Sequence, residues 1–135
     1  MILPVPPSEL TRAWPIIEPM LQRGIDRVKM ERYYPPDFLL QSLRTADKQL
    51  WIATDGQSVQ AALITTVLKY PSGRKEYEVV VAGGDRLDDW LTMAVDTLGA
   101  YAKSIGCSAL VGGGRKGWGR VIPDITTNYR FEVEV

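Results

Sequence analysis

The strongest helical pattern in this chain lies between two apolar strands, and this order decides which folds are open to it. From residue 87 to 105 the apolar residues recur every three or four positions. They are Leu87, Trp90, Leu91, Ala94, Leu98, Tyr101, Ala102 and Ile105. A short strand of the buried type, residues 107–111, follows. A helix of this length is a crossover, so the strands before and after it can lie parallel in an otherwise antiparallel sheet.

Three strands are predicted before this helix, and two further helices before those. Residues 50–53, 59–70 and 77–81 have strand-like patterns, and the two connections carry Asp55-Gly56 and Pro71-Ser72-Gly73, which are typical turn sequences. Helical patterns cover about 8–28 and 39–43. Because Pro15 and Pro19 lie within the first of them, we expect a kink there or two short helices.

The two ends of the chain complete the predicted fold. Residues 1–7 contain three prolines and are predicted to be an extended lead-in, whereas residues 129–135 alternate as a final strand. We predict one mixed α/β (α+β) domain over residues 1–135, with a mostly antiparallel sheet and helices on both faces.

Composition excludes several kinds of function. The 135 residues include no histidine, so no Ser-His-Asp triad, Cys-His pair or histidine-ligated zinc can form. The 16 basic and 16 acidic residues balance, which removes the overall positive charge typical of nucleic-acid-binding proteins. The single cysteine, Cys107, is predicted to be an inert core residue. With no signal-peptide pattern at its start and no membrane-spanning run, the chain is expected to be a soluble protein of the cytoplasm without a membrane partner.

Local sequence features accompany this order of elements. The third strand ends in Gly83-Gly84, the long helix ends in Ala102-Lys103-Ser104-Ile105-Gly106-Cys107, and Ser108-Ala109-Leu110-Val111 follows. Together they resemble the GNAT (GCN5-related N-acetyltransferase-like) fold with its first strand missing. The helix end and Gly114-Arg115-Lys116-Gly117-Trp118 also resemble small GNAT-like proteins of tailed bacteriophages. That second resemblance implies a protein of the host cytoplasm, with assembly into a virion as a further option.

The junction between the third strand and the long helix is where this resemblance implies a cofactor site. A GNAT enzyme presents the backbone N–H groups of a Q/R-x-x-G-x-G/A loop to the pyrophosphate of acetyl-CoA. If the protein is an enzyme, the resemblance implies that Gly83, Gly84 and Arg86 bind the cofactor. The glycines come early, however, and three carboxylates lie where the phosphates would dock: Asp85, Asp88 and Asp89. Because each repulsion is worth about a few kcal/mol, we expect no cofactor, with acetyl-CoA as the alternative.

Catalytic residues are also implied by the resemblance alone. GNAT enzymes often use a carboxylate to relay the proton of the amine and a tyrosine to protonate the departing thiolate. On this chain the carboxylate would be Glu76 or Glu78 of the third strand. The tyrosine would be Tyr129, since no tyrosine occurs from residue 106 to 128.

The glycine-rich stretch over residues 112–120 allows several interpretations. It matches G-x-G-x-x-G, but too few residues remain before Pro123 for the helix of a dinucleotide-binding unit. It also contains a basic and aromatic patch, consisting of Arg115, Lys116, Trp118 and Arg120. We favour a protein partner or self-assembly for this patch, because Trp and Arg anchor interfaces. Single-stranded nucleic acid is the weaker alternative.

The acidic residues of the long helix do not predict a metal site. Asp85, Asp88 and Asp89 lie at its start, where negative charge complements the helix dipole, and Asp96 lies farther along. Because the enzyme devices look absent, the sequence favours a non-catalytic structural or adaptor protein of the GNAT fold, with a phage virion component as one form. The alternatives are an acetyl-CoA-dependent N-acetyltransferase with a divergent cofactor loop and, third, a nucleic-acid-binding accessory protein.

Overall fold

A twisted sheet of five strands forms the centre of the fold. In a computed structural model that describes residues 1–28, 35–112 and 133, the strands are β1 (Ile2–Val5), β2 (Gln49–Thr54), β3 (Val59–Lys69), β4 (Lys75–Gly84) and β5 (Ala109–Gly112). They lie side by side in chain order. Neighbouring strands are antiparallel except for β4 and β5, which are parallel. The predicted fold class is therefore confirmed, including the parallel pair on either side of the long helix.

Helices cover both faces of this sheet, and three of them lie within the described residues. α1 (Leu10–Val28) follows a single 3₁₀ turn, α2 (Pro36–Arg44) comes next, and α3 (Leu87–Ser104) connects β4 to β5. Buried residues of α3 pack on one face against side chains such as Trp51 and Leu63. Buried residues of α1 and α2 pack on the other face against side chains such as Leu50 and Ile64. No helix among the described residues is long and apolar enough to cross a membrane.

The first strand, which the sequence predicted to be missing, is present. Ile2–Val5 pairs with β2 in the register Ile2↔Ala53 to Val5↔Leu50. The prolines argued against a strand at these residues, although a proline is tolerated in an edge strand, which has a neighbour on one side only. Pro4 lies in such an edge strand, and the neighbouring Ile2 is buried in the core. The strand that was missing from the beginning of the predicted order is therefore present as β1.

α1 is one continuous helix, so the division into two short helices that its prolines suggested is wrong. It continues through Pro15 and Pro19, each of which removes one hydrogen bond of the helix. Three apolar side chains spaced four residues apart, Ile17, Leu21 and Ile25, are almost completely buried against the sheet. Tertiary packing of this stripe stabilises the helix against the local preference of its prolines.

Two glycines bring α1 into backbone contact with β4. A Cβ atom on Gly24 would collide with the carbonyl oxygen of Ala82, and one on Gly83 would collide with that of Met20. Only glycine permits so close an approach. The contact fixes α1 across the last residues of β4, next to the start of α3.

Candidate functional site

β4 contains a β-bulge halfway along its length, in its pairing with β3. Thr65 pairs with Val79 and Ile64 pairs with Val81, so Val80 is the extra residue. Val80 and Val81 both pack on the α1 and α2 face. The described residues of β5 pair with β4 from Glu76 to Val79, directly before the bulge. We define the following residues of β4, Val80 to Gly84, and the start of α3 as the candidate site.

Glu76 lies on β4 near the β3–β4 turn and is occupied by its neighbours. Arg74 Nε donates to its Oε2 at 2.9 Å, and the Tyr70 hydroxyl donates to its Oε1 at 2.8 Å. These two hydrogen bonds, that from Arg74 first, hold the pKa of Glu76 below its ordinary value. A carboxylate so stabilised in its charged form is a poor proton acceptor.

Glu78, two residues farther along β4, has a pKa shifted in the opposite direction. Its side chain is half-buried, and none of the described residues forms a hydrogen bond with its carboxylate. Burial raises the pKa of Glu78, and the positive charge of Lys48 opposes that rise. Of the two glutamates that the sequence singled out, Glu78 is therefore the one suited to accept a proton, and it lies directly before the bulge.

The start of α3 carries less unopposed negative charge than the sequence indicated. Arg23 Nη1 of α1 lies 3.1 Å from Asp85 Oδ1, and Arg86 Nε lies 2.9 Å from Asp89 Oδ2. Arg86 is at the N-cap with a left-handed backbone, φ 56°. Because two of the carboxylates each have an arginine partner, the repulsion expected for a phosphate group is reduced.

Gly83 and Gly84, the predicted cofactor glycines, have structural constraints of their own. Gly83 lies against α1, as described above. Gly84 has φ +135°, and a Cβ there would come within 2.5 Å of the Cα of Ala61. Their role toward a cofactor stays a prediction, as do the predicted roles of Arg86 and the two glutamates.

Several predicted residues lie outside the described part of the chain. These are Tyr129, the predicted acid, and the partner-binding patch Arg115, Lys116, Trp118 and Arg120. Cys107 is described, and it is half-buried beside the α3 face of the core. Among the described residues, no group of three or more acidic or cysteine side chains could hold a metal ion.

Sequence reasoning missed Lys48, the cation that acts on Glu78. It lies in the connection between α2 and β2, and its Nζ is 3.2 Å from Asp47 Oδ2. A lone lysine beside a strand has no local pattern that marks it. The signal exists only in the strand register, which brings residues 30 positions apart toward the same part of the sheet.

Comparison with solved structures identifies the fold. A ribosomal-protein-alanine N-acetyltransferase from Brucella melitensis biovar Abortus 2308 is 16% identical, with a TM-score of 0.66, covering 100% of this chain and 99% of that one. A predicted acetyltransferase from Clostridium acetobutylicum, solved with acetyl-CoA, is 12% identical, with a TM-score of 0.65 and coverages of 99% and 95%. A GNAT family acetyltransferase of Staphylococcus aureus is 8% identical, with a TM-score of 0.65 and coverages of 100% and 98%. The chain has the GNAT fold.

These matches correct two predictions made from the sequence. The favoured function, a non-catalytic adaptor, and the expectation of no cofactor are contradicted, because structures that share the GNAT fold from end to end are acetyltransferases, one of them solved with acetyl-CoA. The alternative, an acetyl-CoA-dependent N-acetyltransferase, fits them better. Nothing in these matches supports the resemblance to phage proteins. No protein-family model matches the chain, and a search of curated proteins finds no match.

Proposed function

We propose that this protein is an acetyl-CoA-dependent N-acetyltransferase. The observation that carries the proposal is the half-buried Glu78 beside the β-bulge at Val80, on the strand that leads into α3. A bulge re-aims the edge of a strand, here toward an extended ligand, and the neighbouring carboxylate can accept a proton. The similarity to acetyltransferase structures over the whole chain supports it.

The described residues fit acetyl-CoA in two respects. The pantetheine arm of the cofactor carries amide groups, which can pair with the backbone N–H and C=O groups of a strand edge, here residues 80–84 of β4. The pyrophosphate requires donors at a helix N-terminus, which the start of α3 offers beside Arg86 and Arg23. Bound acetyl-CoA would supply the acetyl thioester of the reaction.

The role proposed for the protein is to prepare the acceptor amine. An amine attacks a thioester only after it has lost its extra proton, and Glu78 would accept that proton on the α1 and α2 face. Its half-burial favours proton uptake, because desolvation destabilises the charged carboxylate. Tyr129 as the acid, a cytoplasmic location and a protein partner for residues 115–120 remain predictions from the sequence.

The first experiment tests for the cofactor. Thermal unfolding is followed with and without millimolar acetyl-CoA, with ATP at the same concentration as a polyphosphate control. A ligand at 100 times its Kd stabilises a protein by about 2.7 kcal/mol, so we expect Tm to rise by several degrees with acetyl-CoA only. A Tm unchanged by acetyl-CoA, or raised equally by ATP, would contradict the proposed function.

The second experiment tests the base. Release of free CoA from acetyl-CoA is measured with three acceptors: a peptide with a free α-amine, a lysine peptide blocked at its N-terminus, and sisomicin. Sisomicin is included because an aminoglycoside acetyltransferase of similar fold, 12% identical with a TM-score of 0.59, was solved in complex with it. We expect Glu78→Gln to lower kcat/KM by about 10²-fold or more, the usual contribution of a general base. Glu76→Gln is the matched control on the same strand and should retain most of the activity. Equal losses in the two variants would contradict the choice of Glu78.

A further inference from the structure

Lys48 is a nearly buried cation, and Asp47 and Phe38 are among its neighbours. Its side chain is only 10% exposed, its Nζ lies 3.2 Å from Asp47 Oδ2, and the same atom lies 5.4 Å from the centre of the Phe38 ring. Phe38 belongs to α2, so Lys48 lies on the face of the sheet that α1 and α2 cover. Burying an ammonium group is costly, which makes its position informative about the charges around it.

The strand register brings Lys48 close to Glu78. Gln49 of β2 is opposite Thr65, and the next residue of β3, Thr66, is opposite Glu78 of β4. The Thr66 hydroxyl donates to the carbonyl oxygen of Asp47 at 3.4 Å, which ties the start of β2 to this position. Lys48 and Glu78 therefore flank Thr66 from its two sides. Two strand spacings are about 10 Å, a distance that lysine and glutamate side chains extending toward each other can largely bridge.

We propose that Lys48 is a positioning residue for Glu78: its ammonium keeps the half-buried carboxylate charged and directed along this face, ready to accept a proton. The inference rests on the proposed function, because it assigns Glu78 the role of base. It goes beyond that function by naming a second residue, from a different strand connection, on which the base depends.

The electrostatics of Glu78 support this assignment. Burial raises its pKa, and Lys48 acts in the opposite direction. Of the other described groups near this part of the face, Asp47 lies against Lys48, and Glu76 accepts hydrogen bonds from Arg74 and Tyr70. The pKa of Tyr70, the residue after β3, is raised first by its hydrogen bond to Glu76, then by burial, and then by the negative charges of Glu76 and Glu78. Across from Glu78 on the remaining sides are the uncharged residues Thr66 and Val111.

The test compares Lys48→Met with Lys48→Arg, which keeps the charge, and with Lys103→Met, which removes an exposed lysine from the end of α3. The pKa of Glu78 is measured by carboxyl ¹³C NMR titration, with its signal assigned by its loss in Glu78→Gln. We expect this pKa to rise in Lys48→Met and to stay near the wild-type value in the other two variants. We also expect the acid limb of the kcat/KM profile to move to higher pH by the same amount in Lys48→Met alone.

The two readouts separate this inference from the proposed function. An unchanged pKa of Glu78 in Lys48→Met overturns the inference, whatever happens to acetyl transfer. A raised pKa with an acid limb that does not move also overturns it, because the reaction would then not depend on the pair. A Tm that does not respond to acetyl-CoA overturns the proposed function, while the titration still decides whether Lys48 acts on Glu78.

Discussion

Tyr77 and Glu78 are neighbours on β4, yet they face opposite sides of the sheet and have opposite surroundings. Tyr77 is 1% exposed, and its hydroxyl is fully engaged under α3. It donates to Gln49 Oε1, lies 2.6 Å from the Thr65 hydroxyl and accepts from Trp51 Nε1 at 3.2 Å. Gln49 in turn donates to the Tyr101 hydroxyl at 3.1 Å, which links the network to α3.

The polar groups on the two faces of the sheet differ in how far their hydrogen bonds are satisfied. A buried polar group stabilises a fold only when its hydrogen bonds are made, and the network around Tyr77 makes them. Glu78 is half-buried without such partners among the described residues, which costs stability. Groups of that kind are more often found where a function needs them. One face of the sheet thus has a satisfied buried network, and the other carries a half-buried carboxylate without hydrogen-bond partners among the described residues.

The two faces also differ in how their helices are attached. α3 packs through large side chains, with Tyr101 in edge contact with Trp51 at 5.3 Å between ring centres. α1 instead contacts β4 backbone to backbone at Gly24 and Gly83. This contact lies beyond the bulge from Glu78, toward the start of α3. Each of the following predictions tests one part of this comparison.

The largest effect is expected at the glycine contact. Gly83→Ala should lower the free energy of unfolding by about 3 kcal/mol or more, because its Cβ would force α1 away from the sheet. Urea unfolding measures this change. Gly99→Ala is the matched control on α3, where a Cβ meets nothing within 4 Å, and it should be neutral or stabilising. A Gly83→Ala variant as stable as the wild type would mean that α1 is not attached in this way.

A smaller loss is expected from the closed network. Tyr77→Phe removes the hydroxyl that three side chains share and should cost about 1–3 kcal/mol in urea unfolding. Acetyl transfer per folded molecule should stay within a few-fold of the wild type, since Tyr77 faces away from Glu78. If Tyr77→Phe lost activity while keeping its stability, the division between a structural and a reactive face would be refuted.

The sequence predicted most of the fold because its elements carry strong local patterns. The helix expected over 87–105 is α3, and the three strands of the meander are β2, β3 and β4 within a few residues. β1 was missed because proline argues against a strand, and only pairing with β2 stabilises it. The unbroken α1 was missed for a related reason, since burial against the sheet outweighs the two prolines.

The site was harder to predict because charges act through space. The three aspartates at the start of α3 were counted as unopposed, but the partner of Asp85 is Arg23, 62 residues earlier in the chain. Lys48 was overlooked in the same way, since the register that brings it near Glu78 cannot be obtained from local patterns. The candidate glutamates were found from the family resemblance, but choosing Glu78 over Glu76 required their neighbours.

The smallest predicted effect is on the pH dependence of stability, which should change in opposite directions when each of these two glutamates is replaced by glutamine. The pKa of Glu78 is raised by burial. Above the unfolded-state pKa, the folded protein therefore binds more protons than the unfolded chain does. Its stability falls as pH rises through the folded pKa. The pKa of Glu76 is lowered by Arg74 and Tyr70, so its stabilisation is present above the unfolded-state pKa and is lost as pH falls through the folded pKa. Urea unfolding of both glutamine variants from pH 3 to 8 measures this. Relative to the wild type, Glu78→Gln should gain stability with rising pH, whereas Glu76→Gln should lose it. Slopes of the same sign would show that the two carboxylates share one environment and would break the distinction on which the choice of base depends.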